Sequence, residues 1–203
     1  MTECTAEEKI KDAARKVFTC KGYAAARTRD IAKEAGVNLA LLNYYFHGKK
    51  NLFELVMLEQ MMAFKQTMVG VFTDNSTGID RKIELLVGNY IDLFTKQPDL
   101  PLFFLTELRL SEEEFITKLS PVESFVGSSF FRQLTEALGN DKHRQVNPFH
   151  IMMNIGGMAM FPFLIGPLVR SRGVIDQVQF DDMMQERKRL IPLWIRAIID
   201  AAH

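Results

Sequence analysis

Apolar residues recur at helical spacing along nearly the whole chain, and no alternating run of β-branched residues is long enough to read as a strand. The pattern predicts an all-α protein. The first helix is expected to start at Thr5, whose hydroxyl caps the first amides while Glu8 reaches back in a capping box. Ile10, Ala13, Ala14, Val17 and Phe18 then form one apolar stripe. Gly22 is expected to end this helix in the left-handed conformation, with Tyr23 as the hydrophobic residue that closes the cap.

The stretch TRDIAKEAGVNLALLNYYFHGKKNL, Thr28 to Leu52, reads as helix, tight turn, helix. Thr28 is expected to cap RDIAKEA, Gly36 lets the chain reverse, and Asn38 caps the next helix two residues later. Leu42 and Phe46 face inward with Ile31, Ala32, Ala35 and Val37. Leu39, Ala40, Asn43, Tyr44 and His47 are left on an outer face that has no core to cover. An asparagine and tyrosines there, with Lys49 and Lys50 beyond, suit a helix lying in a DNA major groove with phosphates at its edges. An ordinary helical hairpin with solvated lysines is the plainer alternative.

Beyond residue 50 a long helix runs to a break at Thr73 to Gly78, and a second break falls at Lys96 to Pro101. Further helices are expected at about 79–96, 101–119, 121–139, 147–170 and 180–202. Ile151 to Val169 is uncharged and about 28 Å long if helical, just short of a bilayer core. Two prolines and an asparagine interrupt it, so an interior helix is expected and no membrane partner. In the last helix Leu190, Ile191, Leu193, Trp194, Ile195, Ile198 and Ile199 cover much of the circumference, so it must be buried on more than one side. A second subunit would do this, as would its own core.

Charge changes the picture at the front. Residues 1–52 carry 10 Lys or Arg against 6 Asp or Glu, whereas the rest carry 15 against 19, within a formal net charge of +0. The surplus favours a polyanion partner for the front part. Cys4 and Cys20 have no CxxC spacing and no histidine cluster, which gives neither a disulfide framework nor a metal site. The first twenty residues form no apolar signal run, so a cytoplasmic protein with reduced thiols is expected, and the Asn75-Ser76-Thr77 sequon reads as chance. HExxH, GxSxG, P-loop and GxGxxG motifs are absent. His150 with Glu107 or Glu114 is the one acid/base pairing considered, and a polar anchor in a pocket explains His150 better. A small enzyme or a helical interaction module is the rival class.

The stretch Thr28 to Leu52 closely resembles the helix-turn-helix signature of TetR-family transcriptional regulators: Thr-x-x-Ile-Ala, then Ala-Gly-Val, then a short helix ending in Tyr-x-Phe-x-x-Lys-x-x-Leu. The likeness covers roughly residues 8–55. It implies an N-terminal three-helix DNA-binding domain, residues 1–50, and a larger helical ligand-binding and dimerisation domain, residues 51–203. By position, Thr28 resembles the family's phosphate contact and Arg29 a residue that reaches a base edge. Leu39, Ala40, Leu41 and Asn43 occupy base-facing positions, while Tyr44, Tyr45 and Lys49 match positions that touch sugar-phosphate; Asn38, His47 and Lys50 complete the expected face. Three departures stand out: Ala40 replaces the usual glycine, Asn43 a frequent tyrosine, and His47-Gly48 the commoner Pro-Ser or Lys-Asn. Asn43 is suited to a bidentate contact with adenine, and Leu39 and Ala40 only to a thymine methyl.

Eleven methionines and sixteen phenylalanines supply adaptable apolar surface, much of it in PLFFLTEL and PFHIMMNIGGMAMFPF. Phe103, Phe104, Glu107, His150, Met153, Met158 and Phe161 are candidate linings of an effector cavity, although core packing explains these segments equally well. The resemblance makes Leu190, Leu193, Trp194 and Ile198 part of a four-helix dimer interface with the helix at about 147–170. The expected partners are a near-palindromic double-stranded DNA operator, a second copy of the chain and a hydrophobic small molecule that releases the repressor. No cofactor or metal is expected.

Overall fold

The computed structural model describes residues 5–110, 122–139 and 146–202, with the side chains of 108–110 and 122–123 left aside. Among the described residues there is helix and no strand. The elements are α1 Ala6–Ala25, α2 Thr28–Ala35, α3 Leu39–Phe46, α4 Lys49–Thr73, α5 Ile79–Lys96 and α6 Leu100–Leu110. They continue with α7 Val122–Phe125, α8 Ser129–Ala137, α9 Pro148–Ser171 and α10 Gln177–Asp200.

The capping box at Thr5 and Glu8 forms as expected, and all five stripe residues of α1 are buried. Gly22 departs from the expectation. It breaks the helix at φ 69°, ψ 167°, a conformation that is nearly glycine-only, and one further turn then carries the chain to Ala25. The break turns the Tyr23 amide out of helical register. Thr28 is also corrected: Arg27 is the N-cap, with its carbonyl taking the amides of Asp30 and Ile31, so Thr28 is the first helical residue and its hydroxyl caps nothing. Gly36 has the left-handed φ of 67° that the reversal demands, and Asn38 Oδ1 caps α3 by accepting the Leu41 amide at 2.7 Å.

No break separates the front from the rest, because α4 begins beside the turn and runs on for 25 residues. At its far end the break at 73–78 is ordered by Asp74, which accepts from Thr77 and from the amide and hydroxyl of Ser76. Those bonds hold its carboxyl down at about 2. The α5 helix lies at the centre of the larger half, packed on α4, α9 and α10. Its buried face of Ile83, Leu86, Val87, Ile91 and Phe94 is the core of that half.

Two expected boundaries move. The 121–139 helix is split, because Gly127 takes a φ of 79° and Ser128 starts a fresh helix by capping the Phe131 amide. The last helix begins at Gln177 instead of about 180, since Asp176 and Gln179 form a capping box. The expected stretch 111–119 and Glu114 lie outside the described residues.

The α9 helix is long and apolar enough to cross a membrane by length and composition. Its inner residues Ile151, Ile155, Ala159 and Phe163 are nonetheless packed in the core. Pro162 leaves the Met158 carbonyl without its usual helical donor, and Arg187 of α10 takes that place at 2.8 Å. The outer residues Met153, Phe161 and Leu168 are about 60% exposed.

Candidate nucleic-acid interface and effector cavity

The tight turn fixes α2 and α3 so that Leu42 and Phe46 are buried against Ile31 and Ala32. Asn43, Tyr44 and Tyr45 then project outward by helical periodicity. Tyr44 is 74% exposed and meets Tyr45 edge to face with ring centres 5.4 Å apart. Such a pair holds two hydroxyls at the rim of a face that covers no core. Ala40, Asn38 and His47 are exposed on the same helix or its caps, and Leu39 and Leu41 are half-buried. Arg29 is exposed at the start of α2, with Thr28 half-buried beside it. Lys50 is exposed and stands 3.6 Å from Glu54 one turn along α4. The structure therefore brings the expected DNA-facing residues onto one end of the molecule. Other front lysines pair locally: Lys21 lies 2.7 Å from Asp30 and Lys16 3.2 Å from Glu34.

Lys49 differs from its expected place at the phosphates. Its ammonium donates to the carbonyls of Tyr23 at 2.9 Å and Ala26 at 3.1 Å, and it sits over the Tyr23 ring at 4.3 Å. Two of its three protons thus hold the end of α1 to the start of α4. The resemblance located the residue, and the carbonyls it serves were not visible because Tyr23 is 26 positions away.

The cavity is formed by Met61, Phe64 and Lys65 of α4, Tyr90, Leu93 and Phe94 of α5, Leu100 and Phe104 of α6, and Met160 of α9. Its volume is about 50 Å³. Burial pushes the Tyr90 phenol up to about 12, so it stays a neutral hydroxyl on a wall that is apolar apart from it and Lys65. Ligand pockets for drug-sized molecules hold about 300 to 1,000 Å³, so a guest of that size has to widen this one. Met61 and Met160 are the side chains best able to yield.

Of the residues expected to line a cavity, Phe104 alone lies in this one. Phe103 and Glu107 line a separate open groove with Tyr23, Lys50, Phe53 and Asp99, between α6 and the front. Met158 packs against the core and gives its carbonyl to Arg187. His150, Met153 and Phe161 are exposed. The apolar segments were recognisable, but their inward phase was not: Met160 turns in where Met153 and Phe161 turn out. Among the described residues, no three His, Cys, Asp or Glu gather as a metal site. Leu193 and Trp194 are exposed on α10, while Leu190 and Ile198 are half-buried.

A helix-turn-helix with an uncovered second helix, carried on a long helix into an all-α body with an apolar cavity, defines a DNA-binding regulator. Residues 10–56 match the family of bacterial regulatory proteins, tetR family, so the front of the chain carries the helix-turn-helix of TetR-family transcriptional regulators. Over 194 residues it is 24% identical to the probable HTH-type transcriptional regulator YttP of Bacillus subtilis (strain 168), covering 95% of this chain and 93% of that protein. It is also 27% identical over 113 residues to the fatty acid metabolism regulator protein of the same organism, covering 56% of this chain and 58% of the relative. Among solved structures, the transcriptional regulator FadR from Bacillus subtilis, crystallised with stearoyl-CoA, shares the fold at a TM-score of 0.52 and 21% identity. That match covers 90% of this chain and 97% of the other.

Proposed function

We propose that this protein is a homodimeric repressor that binds a near-palindromic DNA operator and is released from it by a hydrophobic small molecule of the acyl-thioester class. The observation that carries the DNA reading is the outer face of α3: Asn43, Tyr44 and Tyr45 stand exposed on a helix whose other side is fully buried. Two copies would place two such helices in successive major grooves about 34 Å apart. Phosphates would meet Thr28, Tyr44, Tyr45 and Lys50, while Asn43 and Arg29 would reach base edges, with Leu39 and Ala40 against thymine methyls.

The exposed apolar row on α9 and α10, including Phe161, Leu168, Leu193 and Trp194, supports pairing with a second copy. The apolar cavity supports a hydrophobic effector, and the comparisons favour the acyl class: a curated match is named a regulator of fatty acid metabolism, and a structural match from the same species was crystallised with stearoyl-CoA. A role in transcription instead of catalysis, a cytoplasmic location, and a division near residue 50 between DNA-binding and effector parts follow from the same reading.

The test is selection of binding sites from random duplex DNA, followed by titration of the complex with stearoyl-CoA. An inverted-repeat site that is released by stearoyl-CoA supports the reading. Failure to enrich any DNA refutes the regulator, and enrichment without release refutes the effector class.

A further inference from the structure

Tyr23 has both main-chain polar atoms held by side chains from distant parts of the chain. Its amide, turned out of register by Gly22, donates to Asp99 Oδ2 at 2.7 Å, and its carbonyl accepts from Lys49 Nζ at 2.9 Å. Its ring packs on Phe53 at 4.6 Å, and Phe53 meets Phe103 of α6 at 5.9 Å. Beside it, the buried Gln97 donates through Nε2 to the Thr19 hydroxyl of α1 at 2.8 Å. Gln97 and Asp99 form the short turn between α5 and α6. Leu93 and Phe94 line the cavity just before this turn, and Leu100 and Phe104 just after it. Lys49 opens α4 two residues after His47, which ends α3 with its amide on the Asn43 carbonyl.

We propose that Asp99, supported by Gln97, is a positioning residue through which the state of the cavity sets the recognition helix, acting by way of Tyr23 and Lys49. The proposal rests on the reading that an effector enters the cavity. A guest must widen a space of about 50 Å³, and four of its walls flank the turn that carries Asp99. A bond of 2.7 Å is lost as a hydrogen bond once its partners separate by about 1 Å more. Without its acceptor the Tyr23 amide has no helical carbonyl to return to, because Gly22 holds it out of register. The carbonyls of Tyr23 and Ala26 then no longer fix Lys49, and the end of α3, tied to Lys49 by two residues, is released. DNA that holds α3 in place favours the closed turn, so the coupling runs equally in both directions. Tyr23 is thus a physical link between two packed elements, with each side able to bias it.

The test is amide hydrogen exchange on the full-length, ligand-free protein, comparing wild type with Asp99→Ala, Asp99→Asn and Gln97→Leu. Asp99→Ala is expected to speed exchange about tenfold or more at Tyr23 and also at His47 and Leu52, whose amides bond Asn43 and Gly48, while Lys82 at the start of α5 is unchanged. Asp99→Asn keeps an oxygen acceptor and is expected to restore most of the protection. Gln97→Leu should reproduce the pattern more weakly, and it judges the proposal if Asp99→Ala does not fold. Acceleration confined to Tyr23, or equal effects of Asn and Ala at 99, overturns the proposal. Wild-type DNA binding that ignores stearoyl-CoA would refute the acyl-thioester reading, yet the exchange pattern would still decide whether the link exists.

Discussion

The DNA-facing end and the cavity are built in opposite ways. Every expected DNA-facing residue comes from the 23 positions between Thr28 and Lys50, on two short helices, their caps and the first turn of α4. The cavity takes its walls from four helices, between Met61 and Met160. Within a local motif, spacing alone decides which side chains share a face. An assembled cavity also depends on how each helix is rotated against its neighbours, and a nearly all-apolar helix such as α9 does not record that rotation in its sequence.

The largest predicted effect lies outside both regions, on the exposed apolar row of α9 and α10. Trp194→Glu puts a charge into the proposed interface between copies. Desolvating that charge costs several kcal/mol and the Arg187 guanidinium, 5.4 Å from the Trp194 ring, offsets only part of it, so operator affinity should fall about 100-fold and sizing should show monomers. A dimer in sizing would move the interface elsewhere.

Asn43→Ala probes the local side. It is expected to cost about 1 to 3 kcal/mol on the selected operator and little on unrelated DNA, so selection with the variant should relax one base pair per half-site. An unchanged half-site would leave reading to Arg29, Leu39 and Ala40.

Lys49→Met and Lys50→Met separate clamping from phosphate contact. The charge-assisted bonds of Lys49 to two carbonyls predict a stability loss of about 1 kcal/mol in urea unfolding, discounted for partial exposure. Lys50→Met should leave stability unchanged and lower the salt slope of DNA binding by about one unit. The reverse pattern would return Lys49 to the phosphates.

The smallest effect is a pH dependence where α1 meets α4. Burial works against the Glu59 carboxylate, but hydrogen bonds from Lys11 and Arg15 outweigh it and hold the carboxyl below its ordinary 4.5. Its contribution is therefore present above 4.5 and lost as pH falls through the depressed value. Glu59→Gln should cost under about 1 kcal/mol at pH 7, and the gap to wild type in urea unfolding should close at low pH. A gap that persists in acid would assign the loss to packing.

These differences also explain what the sequence disclosed. The Thr5 and Glu8 box, the α1 stripe, Gly36 and the Asn38 cap are interactions within a few residues, and all were legible. Asp176 and Gln179 form the same kind of box, readable at the same spacing, and it starts α10 at Gln177, three residues before the expected 180. Gly127 is a break visible in the sequence, where periodicity alone predicts one continuous helix over 121–139. The contact of Asp99 with Tyr23 spans 76 positions and rests on an amide freed by the unusual geometry of Gly22, which no spacing rule exposes.

The central claim, that the exposed face of α3 and its flanks hold DNA phosphates, is tested most directly by the salt dependence of binding to the selected operator. With Lys50 and Arg29 of each copy bringing about four cations to the DNA of a dimer, affinity should fall by about 10² between 50 and 200 mM salt. An affinity that stays flat across that range would contradict it.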